Sequence, residues 1–188
     1  MAMICGIDEA GRGPVVGPLV MAGIIIDEKD VGKLTDLNVK DSKLLTEEQR
    51  NALFPQIQKA VKDNKIITVE PTEIDNAVND KNLNLNWLEA HKTADIINKL
   101  NPKKAIVDCP STNVEAYTDY LKNLLTNKNI ELIVEHKADE NYPEVAAASI
   151  LAKVTRDQEI EEIKKKYGDC GPGYPANEVT QKFLKENW

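Results

Sequence analysis

Cysteine, histidine and aromatic residues are scarce in this chain. It has three cysteines and two histidines in 188 residues, and Phe, Trp and Tyr together account for 5%. Cys5, Cys109 and Cys170 are odd in number and far apart, which fits neither a CxxC metal site nor a fully paired disulfide framework. The cysteines therefore indicate a reducing, intracellular environment.

Long hydrophobic runs and targeting sequences are also absent. No apolar run approaches the roughly 18 residues that predict a membrane span. The opening MAMICGI lacks the basic region and apolar core of a signal peptide. Low-complexity segments, repeats and linker-like stretches are missing as well. We therefore expect a cytoplasmic protein that does not bind membranes and that folds as a single domain over residues 1–188.

Positive charge is in deficit. Lys and Arg number 24 against 31 Asp and Glu, so the formal net charge is −7 and the pI is about 5.0. Bulk charge of this sign does not hold nucleic acid. Any anionic partner must be bound by a local group of basic residues.

Short apolar runs alternate with helical patterns, which predicts α/β layers. Runs rich in Ile and Val predict strands at about 3–7, 19–26, 66–69, 105–107 and 130–134. Four helices are predicted. The first starts at the capping-box sequence Thr46 to Gln49, and the second ends near Asn101-Pro102. The third spans 114–124, and the fourth starts at about Pro143, where a C-terminal helical part begins.

Four acids lie at predicted strand ends, where α/β sheets usually carry chemistry. Asp8 and Glu9 follow the first strand, Asp108 ends the fourth, and Asp139 lies between the fifth strand and the last long helix. If the first and fourth strands are neighbours, Asp8 and Asp108 come together, and clustered carboxylates repel each other unless a cation binds. Oxygen ligands without a nearby Cys or His pair favour Mg²⁺ or Mn²⁺ over zinc. Ordinary caps or solvated turn residues are the alternative.

The acidic pair is followed by a glycine-rich turn, GRGP. Adjacent strand residues point to opposite faces, so we expect the strand to end or bend at Asp8 and Glu9 if both face one site. The glycines allow positive φ and leave N–H groups for a phosphate or hydroxyl, with Arg12 available for charge. A plain tight turn is the alternative.

Several long motifs run in order through nearly the whole chain. They are GIDEAGRGPVVGPLV at 6–20, DSKLL at 41–45, IVDCP at 106–110, HKADENYPEVAAASILAKVTRD at 136–157 and GPGYP at 171–175. Together they resemble ribonuclease HII of the archaeal type. The resemblance implies a ribonuclease H-like fold of the α/β class, in which helices flank a mixed five-stranded sheet.

The resemblance also implies an activity. It implies a monomeric endoribonuclease that hydrolyses the RNA strand of RNA/DNA hybrids and cleaves on the 5′ side of ribonucleotides embedded in duplex DNA, leaving 3′-hydroxyl and 5′-phosphate ends. The family's four acids map onto Asp8, Glu9, Asp108 and Asp139, which would hold two Mg²⁺ or Mn²⁺ ions for two-metal catalysis.

Substrate contacts are implied in the same way. Gly11, Arg12 and Gly13 would contact the ribose 2′-hydroxyl and a nearby phosphate, and Tyr174 would stack on the following sugar. The residues implied to hold phosphates are Lys43, Ser149, Lys153 and Arg156. Lys40 and the lysines at 164–166 would extend this basic face. Replacing Gly13 by a bulkier residue is expected to strain the backbone.

The chain departs from the family pattern at two places. After GYP the family commonly continues with Ser-Asp-Pro, where this chain has Ala176-Asn177-Glu178, which puts a substrate contact from that turn in doubt. Many relatives also continue beyond the position of Trp188 with a segment that helps to grip the duplex.

Two other functions stay open. GIDEAG could be the phosphate loop of an actin-like or sugar-kinase ATPase, although 188 residues supply about one of the two lobes that such enzymes need. An acidic interaction module would explain the charge, but it gives no reason for four acids at strand ends.

Overall fold

A single five-stranded sheet forms the centre of the computed structural model, which describes residues 2–39 and 44–187. The strands are β1 (Met3–Ala10), β2 (Leu19–Asp27), β3 (Asp63–Val69), β4 (Lys104–Asp108) and β5 (Glu131–Glu135). Their order across the sheet is β3-β2-β1-β4-β5. The pairs β1–β2 and β2–β3 are antiparallel, whereas β1–β4 and β4–β5 are parallel. The predicted mixed sheet is confirmed, and the first and fourth strands are neighbours.

Helices cover both faces of this sheet. They are α1 (Gly32–Asp36), α2 (Glu47–Ala60), α3 (Pro71–Asn79), α4 (Leu85–Leu100), α5 (Val114–Leu124), α6 (Ala138–Asn141), α7 (Pro143–Tyr167) and α8 (Glu178–Asn187). One apolar cluster joins the sheet to α4 and α5, and a second joins the other face to α1, α2 and α7. Among the described residues, no helix has both the length and the apolar character needed to cross a membrane.

Strand β1 is longer than predicted, and the expectation of a break at the acidic pair was wrong. The strand continues through Asp8 and Glu9 to Ala10, with Asp8 opposite Ala22 and Glu9 opposite Met21 on β2. Eight consecutive antiparallel pairs hold this stretch in extended conformation. The two carboxylates therefore point to opposite faces of the sheet, as strand geometry requires.

Helix α7 packs directly on β1 because both elements have small side chains where they meet. Its first turns present the buried Ala146, Ala147 and Ala148, and a side chain at Gly6 of β1 would collide with the backbone of Glu144. This close approach brings the buried Ser149 to the level of Asp8. The small residues of VAAASILAK thus place one helix against the acidic end of the strand.

Local signals predicted some helix ends well. Thr46 caps α2 as expected, since its hydroxyl accepts from the Gln49 N–H at 3.2 Å and the Gln49 side chain accepts from the Thr46 N–H at 2.8 Å. Helix α4 ends at Leu100, and Asn101 adopts the left-handed conformation. Helices α1, α3, α6 and α8 were not predicted. Of these, α6 affects the site most, because Asp139 lies on it rather than in a loop.

Candidate active site

Three of the four predicted acids meet at one end of the sheet. Asp8 on β1, Asp108 at the end of β4 and Asp139 on α6 each place a carboxylate oxygen within 4.8 Å of the other two. Parallel pairing of β1 with β4 brings the first two together, and Asp108 accepts from the backbone N–H of Ala138 at 3.3 Å, which ties α6 to the strand end. Asp8 and Asp139 are buried.

The electrostatics of this acid triad (Asp8, Asp108 and Asp139) favour a bound cation. The pKa of Asp8 is raised from 3.8 to about 7, chiefly by burial and to a smaller extent by the neighbouring Asp108 and Asp139 carboxylates, against the opposing effect of hydrogen bonds from Ser149 and from the Glu9 N–H. A divalent cation would remove this repulsion. A set of carboxylate oxygens is the donor set that Mg²⁺ and Mn²⁺ prefer, so the residues present fit such an ion.

Glu9 lies on the other face of β1 and is not one of the three clustered acids. Burial raises its pKa well above the usual value, and the charges of Asp8, Glu89 and Asp108 raise it further, while Arg12 lowers it. The charges of Asp8 and Asp108 therefore act on Glu9, and so does the charge of Glu89 on α4.

The glycine turn, residues 11–13, begins directly after β1. Gly11 has a φ of +93°, and a side chain there would lie 2.5 Å from Nε of Arg156 and 2.5 Å from the carbonyl oxygen of Pro18. Gly13 has open space around the position of a side chain and no positive φ. The expectation of backbone strain at Gly13 was therefore wrong, because the strained position is Gly11.

Arg12 extends from this turn to helix α4. Its Nε lies 3.0 and 3.2 Å from the two carboxylate oxygens of Glu89, and one terminal nitrogen donates to the Asn86 side chain at 2.6 Å. Glu89 is fully buried, and burial raises its pKa to about 7 although Arg12 lowers it. Glu89 was missed in the sequence. The available signal was an acid in the buried stripe of α4, one turn before Thr93 and two turns before Ile96.

Arg156 holds two loops together, the one that follows β1 and the GPGYP loop. It is buried, and one terminal nitrogen donates to the carbonyl oxygens of Val16 at 3.3 Å and Pro172 at 3.1 Å. Its guanidinium also lies 5.3 Å from the ring centre of Tyr174. The loop after β1 and the GPGYP loop are thereby joined next to Tyr174, which itself is 43% exposed.

An open cleft of about 500 Å³ lies between the glycine turn, α7 and the GPGYP loop. Residues lining it include Glu9, Gly11, Arg12, Gly13, Arg50, Lys153, Arg156 and Tyr174. Arg50 was missed in the sequence; it donates to the Leu45 carbonyl at 2.7 Å and to Asp157 at 3.1 Å. Its signal was an arginine in the first turn of α2, close after DSKLL.

The remaining predicted contacts have different outcomes. Lys43 and Lys40 lie outside the described residues. Lysines 164 and 165 each form an ion pair with a glutamate three residues earlier, so their charge is locally compensated. Lys153 lines the cleft, and Ser149 lies beneath it against Asp8.

The chain matches known proteins over nearly its whole length. The family model described as Ribonuclease HII matches residues 5–188. A ribonuclease HII of Pyrococcus furiosus is 48% identical over 185 residues, which is 97% of this chain and 80% of that protein.

Solved structures agree. Ribonuclease H2 of Pyrococcus horikoshii superposes with a TM-score of 0.90 at 43% identity, covering 98% of this chain and 86% of that one. An Archaeoglobus fulgidus RNase HII, solved as a complex with PCNA, has a TM-score of 0.89 at 41% identity and covers 97% and 85%. Bst-RNase HIII, solved in complex with Mn²⁺, is similar in fold, with a TM-score of 0.82 at 23% identity over 99% of this chain and 63% of that one.

Proposed function

Because the chain belongs to the ribonuclease HII family, and is therefore a ribonuclease H endonuclease acting on nucleic acid, we propose that it cleaves on the 5′ side of ribonucleotides. Its substrates would be the RNA strand of RNA/DNA hybrids and single ribonucleotides embedded in duplex DNA. Cleavage would leave a 3′-hydroxyl and a 5′-phosphate. Residues 1–188 would act as one catalytic domain and as a monomer.

One observation carries this proposal. Asp8 of the acid triad lies on β1 three residues before Gly11, where the glycine turn begins, and the turn lines the cleft that also contains Lys153 and Tyr174. A phosphate next to a ribose bound at the turn would therefore lie near the carboxylates. Recognition of the 2′-hydroxyl and cleavage would share one structural unit, and the 2′-hydroxyl is what distinguishes RNA from DNA at a given site.

The catalytic residues in this proposal are the triad together with Glu9. Asp8, Asp108 and Asp139 would hold divalent cations, and Glu9 would contribute from the cleft side. Two such cations, when bound, supply an activated water and stabilise the leaving oxygen. The carboxylate oxygens of the triad support Mg²⁺ or Mn²⁺ as the ion.

The substrate contacts are proposed with two different roles. Backbone N–H groups of the glycine turn would bind the 2′-hydroxyl, Tyr174 would stack on the next sugar, and Lys153 would bind a phosphate. Ser149 and Arg156 are buried, and the contacts of Arg156 support a role in holding the turn and the Tyr174 loop rather than a phosphate.

A labelled DNA duplex with one ribonucleotide tests the proposal. With Mn²⁺ we expect one cut on the 5′ side of the ribonucleotide, no cut in the all-deoxy duplex, and no cut in EDTA. Asp108→Asn should abolish cleavage, while Asp95→Asn, an exposed acid on α4, serves as the matched control with unchanged activity. Cleavage on the 3′ side, or cleavage that persists in EDTA, would contradict the proposal.

A further inference from the structure

We propose that Glu89 is a positioning residue: its buried carboxylate binds the Arg12 side chain and thereby holds the glycine turn against α4. This inference rests on the proposed function and deepens it, because it identifies what holds the proposed 2′-hydroxyl-binding turn in place. It also assigns the Arg12 side chain to an internal ion pair rather than to a phosphate.

The geometry of Arg12 supports this assignment. Nε contacts both oxygens of Glu89 at 3.0 and 3.2 Å, and a terminal nitrogen donates to Asn86 at 2.6 Å. Asn86 in turn lies 3.5 Å from the hydroxyl of Ser111, which follows β4. The guanidinium is thus directed along α4, with its Nε–H and one terminal N–H bound within the protein.

The burial of Glu89 explains why the pair is needed. Its side chain has no exposed surface, whereas Arg12 is 39% exposed. An ionised carboxylate buried without a partner is strongly unfavourable, so Glu89 requires the guanidinium more than the guanidinium requires Glu89. A buried acid on α4 with a cationic partner on the turn favours a fixed turn over a mobile one.

The turn has few other fixed points. Gly11 packs against Arg156 and Pro18, whereas Gly13 is surrounded by open space. Between them, Arg12 supplies an anchor through its side chain and is also one of the residues that line the cleft. Displacement of a binding group by about 1 Å can cost about 10²-fold in rate, so an anchor of this kind matters for catalysis without touching substrate.

The test compares Glu89→Gln, Arg12→Met and the double variant, with Asp95→Asn as control on the same helix. We expect kcat/KM on the single-ribonucleotide duplex to fall about 10²-fold in each single variant and no further in the double variant, because both changes remove one interaction. In EDTA, the binding preference for the ribonucleotide duplex over the all-deoxy duplex should shrink. A purely structural role would lower binding of both duplexes equally and would overturn the inference.

Three further readings decide between the alternatives. If Arg12 bound a phosphate, Arg12→Met would reduce the salt slope of binding by about 0.9, and Glu89→Gln would cleave like the unmodified protein. If Glu89 were a metal ligand, Glu89→Gln would lose Mn²⁺ affinity as strongly as Asp108→Asn. Either result overturns the inference, as does additivity of the two single variants.

Chemical denaturation gives a readout that does not need nuclease activity. The unfolding free energies of the unmodified protein, Glu89→Gln, Arg12→Met and the double variant form a double-mutant cycle. We expect clear coupling between positions 12 and 89 in this cycle. If the unmodified protein fails to cleave any ribonucleotide substrate, the proposed function is wrong, while the cycle still decides whether Glu89 anchors the turn. Absence of coupling would refute the anchor even in an active enzyme.

Discussion

Replacing Asp8 by Asn should stabilise the metal-free protein at alkaline pH. Asp8 is 5% exposed, and its pKa is raised from 3.8 to about 7. Each pH unit corresponds to about 1.4 kcal/mol, so keeping Asp8 ionised in the folded state costs about 4 kcal/mol. Asn has the same shape and can still accept from the Glu9 N–H, which Asp8 binds at 2.7 Å.

The sign of the pH dependence follows from proton binding. Between the two pKa values the folded protein holds a proton on Asp8 that the unfolded chain has released, so stability falls as pH rises through this window. Asp8→Asn removes this loss. We therefore expect the variant to match the unmodified protein near pH 4 and to exceed it by about 4 kcal/mol near pH 8.

Urea denaturation in EDTA at several pH values measures the difference, with Asp95→Asn as the exposed-acid control. Added Mn²⁺ should reverse the order, because an ion that binds only the folded state stabilises the protein that retains its ligands. If Asp8→Asn were less stable than the unmodified protein at pH 8 in EDTA, or if the difference did not change with pH, the raised pKa of Asp8 would be refuted.

Three further predictions concern the turn, the cleft and a helix end. Gly13→Val should keep the melting temperature and Mn²⁺ affinity while impairing ribonucleotide cleavage. Gly11→Val should instead lower the melting temperature, because of these two glycines only Gly11 combines positive φ with a crowded side-chain position. Thermal melts and cleavage assays distinguish the two variants. Lys153→Ala should reduce the slope of log K against log salt by about 0.9 if Lys153 binds a phosphate, as measured by binding over a salt series. Thr46→Ala should cost about 1 kcal/mol of stability in urea without changing cleavage, since it removes the α2 cap.

The acid triad could be predicted because its signals are local. Asp8 and Asp108 each come directly after a short apolar run in the sequence, and parallel pairing of the two strands that contain these runs brings the acids together. The alternation of side chains also predicts that Asp8 and Glu9 separate. What failed was the assumption that the strand breaks to reunite them. Pairing with β2 outweighs that local expectation, since ladder hydrogen bonds hold residues 8–10 extended.

The roles of the supporting residues could not be predicted, because these roles depend on partners far away in the sequence. Glu89 lies 77 positions from Arg12 and Arg156 lies 140 from Val16, and nothing near any of these residues specifies the partner. Helix α6 is a single turn of four residues, too short for periodicity to reveal. A buried charge in an apolar stripe was the only signal for Glu89, and it indicates that a partner exists without identifying it.

The central claim is that Asp8, Asp108 and Asp139 form the metal site of a nuclease. Anomalous diffraction from crystals soaked in Mn²⁺ tests it most directly. We expect anomalous peaks between these three carboxylates, about 3.5–4 Å apart if two ions bind, and none there in Asp108→Asn crystals. Ordered Mn²⁺ elsewhere on the protein, with no peak among these carboxylates under conditions that support cleavage, would contradict the account.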